Sequence, residues 1–415
     1  MMTQIEQLVP KLRFKEFDGE LRGGTISDYW GFYYWKSAPK WSLSEDAPTP
    51  CVRYWELYST FNEVVDEIKS FTNIDPNTLK FSKWWEVLVP RVWEDPLDFA
   101  NCSYLPHSWI AIWEMISVYN TEEDWLYMTY YFNAKLKRAF AKVVEWWSVA
   151  NLYFKYLEPI EVHIPATAEQ NKIMIFLTSV DTKIQQLESL KSSREQYKKW
   201  VMQKIFSQEI RFKDENGEDF GKWESVEIND IWNHYNWLTW KTKEDFWDWK
   251  RYIQYMQIFN SSRIQLDDCW YVNVWDQEKQ NEVKKWDVIF TVSSETPKET
   301  WMTSVVLDEF QWVYLNSFCF WLRPESEKVL NPVFSEYLFR SSEVRKKIIR
   351  LAQWSTRFNM SKISLMKLRI TLPSIWEQVK IWKILSQISL KIINIEEQIN
   401  NVKKRKKWLL QQMFV

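Results

Sequence analysis

The chain has 415 residues, of which 46% are hydrophobic and 26% charged, a balance typical of a globular protein with two or three domains. Its net charge of −1 means that any nucleic-acid footprint must be local. No apolar run is as long as a membrane helix, the start lacks a signal-peptide pattern, and the four cysteines form no C-x-x-C pair. We therefore expect a cytoplasmic protein without a membrane span, a disulfide framework or a metal site.

Residues 1–165 predict a first mixed α/β domain that is rich in strands. Short apolar runs such as YMTYYF are separated by turn residues, as in a domain of short strands and helices. The predicted fold class is α/β (α+β).

Residues 166–207 predict a long helix. Pro165 precedes Thr167 and Gln170, which have the spacing of a capping box. Apolar residues then follow at alternating steps of four and three, the rhythm of a coiled-coil seam, at Ile173, Leu177, Val180, Ile184 and Leu187.

Residues 208–373 and 374–415 repeat this plan as a second domain and a second helix. KKWVMQKIF at 198–206 matches KKWLLQQMF at 406–414, and IPATAEQNKI at 164–173 matches LPSIWEQVKI at 372–381, both 208 residues apart. The second helix carries the same heptad rhythm from Ile381 to Val402, after a second capping box at Ser374 and Glu377. The chain is thus a tandem duplication, and two matching stripes favour helices that pack on each other.

Motifs of catalysis do not occur. The three histidines are far apart, and neither a G-x-G-x-x-G turn, a Walker loop nor the Asn-Pro-Pro-aromatic motif of amino-methyltransferases appears. We therefore predict that the chain is not an enzyme.

The two-fold repeat resembles the specificity subunit of type I restriction–modification systems. The matching stretches are VPKLRFKEFDGE, IRFKDENGEDFGKWE, the two P-x-x-x-EQ-x-KI helix entries and the KK-x-LLQQMF ending. The resemblance implies two target-recognition domains and an antiparallel coiled coil with pseudo-two-fold symmetry. It also implies a bipartite double-stranded DNA target, and separate modification and restriction subunits that dock on the helices. S-adenosylmethionine, ATP and Mg would belong to those subunits, with no cofactor on this chain.

Candidate DNA-binding residues lie mainly in equivalent loops near the start of each repeat. Lysine, arginine, serine and threonine are the side chains that contact phosphates and base edges. The loop candidates are Lys36, Ser37, Lys40, Lys241, Thr242 and Lys243. Weaker candidates, since most lone basic residues are merely solvated, are Arg53, Arg91, Lys250, Arg251 and Arg263. A turn before the second helix adds Ser355, Thr356 and Arg357.

Two other functions remain open at this point. A carbohydrate-binding protein would use tryptophans as stacking platforms, and these should line one groove at regular spacing. An orphan coiled-coil adaptor would keep the helices but no longer read DNA. Neighbouring genes for a methyltransferase and a helicase-nuclease would separate the adaptor from the main interpretation.

The composition contains one anomaly: 29 tryptophans against 6 glycines. In the family that the chain resembles, small residues, mainly glycine, stand at many of the tryptophan positions, among them Trp85, Trp200, Trp286 and Trp408. One codon that means glycine in the source organism would explain the exchange, whereas Trp223 in GKWESV fits a true aromatic. The alternative is that all the tryptophans are real. A misread codon predicts many tryptophans exposed at turns.

Overall fold

The computed structural model describes residues 9–414 apart from 30, 35–41, 94, 114, 147–149, 248, 295, 297–298, 300, 326–328, 352, 355–357 and 360–361. The chain divides into two compact units: residues 1–188 with 397–415 form the first, and residues 189–396 form the second. Each unit therefore combines a globular part with a segment of both long helices. No helix in the described ranges is both long and apolar enough to cross a membrane.

The first unit consists of short strands and helices that precede a 40-residue helix. Its strands are β1 Arg22–Thr25, β2 Phe32–Tyr34, β3 Thr49–Val52, β4 Ser70–Thr72, β5 Glu86–Pro90, β6 Val92–Trp93, β7 Ser103–Leu105, β8 Ala111–Ile112, β9 Ile116–Tyr119, β10 Glu145–Trp146, β11 Ala150–Asn151 and β12 Glu161–Ile164. Its helices are α1 Glu56–Ser59, α2 Trp125–Lys135, α3 Lys137–Lys142, α4 Phe154–Leu157 and the long α5 Thr167–Phe206, which continues into the second unit.

The second unit repeats this series. Its strands are β13 Glu224–Glu227, β14 Trp232–Asn236, β15 Lys250–Ile253, β16 Trp270–Val272, β17 Val288–Thr291, β18 Ser293–Ser294, β19 Thr303–Val305, β20 Val313–Leu315, β21 Cys319–Pro324, β22 Gln353–Trp354, β23 Phe358–Asn359 and β24 Arg369–Leu372. Its helices are α6 Tyr255–Asn260, α7 Ser335–Leu338, α8 Ser342–Arg350, α9 Lys362–Met366 and the 39-residue α10 Ile375–Met413, which ends in the first unit.

The sheets of the two units have the same strand order. The first unit pairs β1-β12, β2-β9-β5-β7, β4-β3-β8 and β10-β11-β6, and adding twelve to each strand number gives the sheets of the second unit. Even the exception recurs, because β3·β8 and β15·β20 are parallel while the other described pairs are antiparallel. The predicted α/β (α+β) fold with two similar domains and two long helices is confirmed.

Both long helices contribute to the core of each unit. In the first unit, Ile173 and Leu177 of α5 share a buried cluster with Leu409 and Met413 of α10. In the second unit the roles reverse, because Val201 and Ile205 near the end of α5 share a buried cluster with Ile381 and Leu385 near the start of α10. The apolar stripe thus stabilises the units by removing its surface from water.

Ion pairs show that the two helices run antiparallel. In the first unit Lys403 Nζ lies 2.6 Å from Glu188, and the next turn of α10 brings Lys406 Nζ 2.6 Å from Asp181, further back along α5. In the second unit Lys191 Nζ lies 2.9 Å from Glu396. The residue number falls along α5 as it rises along α10, so the antiparallel packing is confirmed within each unit.

The EQ pair at each helix entry ties the start of a repeat to its helix. Arg13 donates two hydrogen bonds of 2.7 Å to Glu169, and Arg211 pairs with Glu377 at 2.8 and 2.9 Å. The following glutamine donates to the carbonyl of the entry proline, which is 2.8 Å away for Gln170. The predicted capping boxes form only in part, because the side chains of Gln170 and Glu377, which would complete the boxes, bind the globular part instead.

Candidate nucleic-acid interface

Six of the predicted DNA-binding residues lie outside the described residues, namely Lys36, Ser37, Lys40, Ser355, Thr356 and Arg357. Their flanking elements are described. Tyr34 ends β2 immediately before the first loop. β22 and β23 flank the last three residues and pair with each other, and β23 also pairs with β18.

A cluster of basic and aromatic side chains adjoins the first loop. We call Tyr34, Arg91, Tyr153 and Lys155 the first basic–aromatic cluster. The Arg91 guanidinium lies 4.8 Å from the Tyr34 ring centre and 5.3 Å from that of Tyr153, and the Lys155 ammonium lies 5.6 Å from Tyr153. The rings hold both cations in place by cation–π attraction. Tyr34 and Lys155 are exposed, so the cluster faces solvent.

Local sequence explains how the cluster forms. Arg91 follows the buried strand β5, and its carbonyl accepts a 2.8 Å hydrogen bond from Leu152 N–H, which brings the segment before α4 alongside. A hydrogen bond with the Tyr156 hydroxyl raises the pKa of the exposed Lys155. The arrangement can present two cations to a phosphate backbone.

The second unit places one cation next to the position equivalent to Lys155. Lys362 stands 208 residues after Phe154, at the start of α9, and donates a hydrogen bond to the side-chain oxygen of Asn236 at the end of β14. Its ammonium lies 4.7 Å from the Trp237 ring. Burial lowers the pKa of Lys362. Sequence reasoning missed Lys155 and Lys362, although Lys362 lies just after the predicted turn at 355–357.

Two of the predicted residues in the second loop already have side-chain partners within the second unit. Lys241 Nζ lies 2.7 Å from Glu278, and only 7% of the lysine side chain is exposed. Thr242 caps the following helical turn, with its N–H 2.8 Å from the Asp245 carboxylate. Lys243 is exposed and takes part in no ion pair in the described part of the chain. Of these three, Lys243 has the most accessible charge.

The remaining weaker candidates differ in their surroundings. Lys250 pairs with Asp276 at 2.8 Å and covers the Trp312 ring, whereas Arg251 on the same strand is exposed. Arg263 pairs at 2.8 Å with the buried Glu336. The Arg53 guanidinium lies between two indole rings, those of Trp55 and Trp113, at 5.2 and 5.4 Å.

The structure brings five of the second-unit candidates, Thr242 among them, into one small lobe. Tyr252 of β15 packs with Leu238 of the loop and Val272 of β16 in a separate buried cluster. The Asn273 N–H donates to the Asp245 carbonyl at 2.8 Å, which fixes the loop on the sheet. The lobe carries Lys241, Thr242, Lys243, Lys250 and Arg251, while Arg263 lies elsewhere in the unit.

Each unit also contains a charged cavity between its globular part and its helix segments. The first has a volume of about 530 Å³ and contains Lys406, which pairs with Glu63 at 2.8 Å and with Asp181. The second has about 430 Å³ and contains Lys198, whose pKa burial lowers despite the opposing effect of Glu336. These two lysines are 208 residues apart, so the feature belongs to the repeat.

Neither cavity is a clear site for chemistry. Among the described residues, no group of three or more histidine, cysteine, aspartate or glutamate side chains could hold a metal ion. The described walls of both cavities lack tryptophan, so neither provides the tryptophan-lined groove that sugar binding would use. Lys406 and Lys198 each cover a tyrosine ring, at 5.0 Å from Tyr130 and 5.3 Å from Tyr337, and act as packing contacts between helix and domain.

Comparison with known proteins places these features in context. Residues 98–193 and 221–404 match the family model of the type I restriction modification DNA specificity domain. The fold is similar to that of the S subunit of a type I restriction-modification system from M. genitalium, with a TM-score of 0.56, 14% identity and coverage of 98% of this chain and 99% of that one. A structure from a study of complex assembly and conformational transition of the type I R-M system matches with a TM-score of 0.58, 14% identity and coverage of 96% and 98%.

Proposed function

The chain belongs to the type I restriction–modification DNA specificity family, and from this premise we propose that each of its units reads one half of a bipartite DNA target. The observation that carries the proposal is the exact recurrence of sheet order in the two units, each built on both helices. Two equivalent recognition units held by the same pair of helices suit a target with two half-sites separated by a gap of unspecified sequence.

The first basic–aromatic cluster, and Lys362 in the second unit, supply the contacts with DNA. Arginine and lysine bind phosphates, and bidentate contacts to base edges discriminate bases by about 1–3 kcal/mol each. Arg91 and Lys155 in the first unit, and Lys362 with the exposed Lys243 and Arg251 in the second, are our candidates among the described residues. The loops 35–41 and 355–357 would complete the two reading surfaces.

The chain would supply recognition and leave catalysis to partners. Modification and restriction subunits would dock on α5 and α10, and S-adenosylmethionine, ATP and Mg would bind to those subunits. The absence of catalytic motifs in the sequence supports this division. The setting would be the cytoplasm, where such a complex meets DNA.

A domain exchange tests the proposal. Residues 216–372 are replaced by the corresponding segment of a related chain with another target, and the methylated sites of the assembled complex are mapped. We expect one half-site to change and the other to persist. A matched exchange within the first unit should change only the other half-site. If either exchange rewrote both half-sites, the two units would not be separate readers.

A further inference from the structure

Backbone geometry singles out one residue type. Eight described residues other than glycine have a positive φ, and seven of them are tryptophans, with φ between 54° and 95°. A side chain with a Cβ disfavours this region, which glycine occupies freely. Only asparagine, aspartate and histidine are clearly enriched there among the others, so the indole gives no local reason for it. The seven are Trp85, Trp109, Trp240, Trp249, Trp286, Trp301 and Trp312.

The turn before β17 shows why glycine is needed. Asp287 N–H donates to the Lys284 carbonyl at 3.1 Å and closes a four-residue turn whose third residue, Trp286, has φ 75°. A turn with this φ at its third position requires glycine or asparagine. The equivalent segment before β5 in the first unit has Trp85 with φ 60°, and the next residue is again a buried acid. Equivalent positions of the two units therefore carry the same misfit.

Side-chain environments point the same way. Trp240 is 97% exposed and Trp109 is 71% exposed, although burial is what makes a large ring stabilising. The buried Trp301 ring leaves its indole N–H without a hydrogen-bond partner among the described residues, and a buried unpaired donor is costly. Trp223 is different, since its indole N–H donates to Glu377 at 3.1 Å.

We propose that the seven tryptophans with positive φ are glycines in the protein as its source cell makes it, and that Trp223 is a true tryptophan. One codon with the meaning glycine in that cell would produce both the 29 tryptophans and the 6 glycines of the sequence as written. Of those glycines only Gly217 has a positive φ among the described residues. The inference is independent of DNA reading and concerns the chemical identity of the chain.

Codon usage and peptide mass decide the proposal. We expect the seven positions to share one codon that differs from the codon at 223. Peptides of the protein isolated from the source cell should have the mass expected for glycine, not tryptophan, at each of the seven positions. The peptide that covers position 223 should have the mass expected for tryptophan. Peptides that contain tryptophan at 240 and 286 would overturn the proposal, as would a single codon shared with 223.

Stability gives a second readout in recombinant protein. We replace by glycine the five exposed tryptophans at positive φ, which are Trp85, Trp109, Trp240, Trp249 and Trp312. The melting temperature should rise by roughly 10 °C, because each relieved residue adds a few degrees in a unit of this size. The control Trp223→Gly should lower it. A fall in melting temperature after the five replacements would contradict the proposal that the backbone requires glycine at these positions.

Discussion

At the scale of single residues, Arg91 and Lys362 give the sharpest test of the reading surfaces. We expect Arg91→Ala to weaken DNA binding by the assembled complex, and to reduce the slope of log affinity against log salt by about one if the side chain contacts phosphate. Lys362→Ala should do the same through the other half-site. If either side chain touches a base instead, one position of its own half-site should become relaxed. Binding titrations over a range of salt with each half-site mutated in turn measure both effects.

The control is Lys69→Ala, because Lys69 is also a basic residue of the first unit but pairs with Glu67 on the surface. It should leave the salt slope unchanged. Equal effects of Arg91→Ala and Lys69→Ala would mean that general charge and not the cluster governs binding.

Partners distant in sequence explain why the site was predictable only in part. Position in the repeat was enough to nominate Lys241, yet Glu278, which neutralises it, lies 37 residues away on another segment. Lys155 can be recognised as a candidate only when the fold brings Arg91, Tyr34 and Tyr153 close to it. The local sequence around Lys155 does not predict these contacts. The loops could be located from the sequence. Which side chains in them are accessible depends on tertiary packing and could not be predicted.

At the scale of elements, the Arg13–Glu169 contact should stabilise the first unit. Glu169 is almost completely buried, so Arg13→Met leaves an unpaired carboxylate and should cost about 3–5 kcal/mol of unfolding free energy. Arg13→Met with Glu169→Leu should recover most of this loss, because the buried charge is gone. Urea unfolding with hydrogen exchange read separately for each unit measures the effect.

An exposed pair supplies the comparison. Lys69→Met breaks the surface pair with Glu67 and should cost less than about 1 kcal/mol. If Arg13→Met cost no more than this, the EQ motif would not anchor the repeat to its helix.

The elements themselves were predictable to different degrees. The short apolar runs DVIFTV (287–292) and FCFWLR (318–323), which favour strands, form β17 and β21. Both long helices begin just after their prolines, at Thr167 and Ile375. YMTYYF instead lies within α2, where all six of its side chains are buried. A short run that is apolar on all sides has no periodicity to distinguish a buried helix from a strand. Asp124, whose carboxylate accepts a 2.7 Å hydrogen bond from Tyr127 N–H, starts the helix.

At the scale of the whole molecule, we expect the purified chain to have no catalytic activity alone. With S-adenosylmethionine or ATP and Mg supplied, it should neither methylate nor cut DNA that carries its target. Adding the modification subunit should restore methylation, and adding the restriction subunit should then restore cleavage. Methylation by the chain alone, after removal of contaminating enzymes, would contradict the division of labour.

The shared helices also determine when each unit can be completed during synthesis. Leu409 and Met413 belong to the core of the first unit, and Leu12 N–H donates to the Gln412 carbonyl at 3.0 Å. The unit whose globular part leaves the ribosome first must therefore wait for residues 409–413. The second unit, residues 189–396, has all its parts earlier. A nascent chain that stalls before residue 409 would thus carry a finished second unit and an unfinished first one.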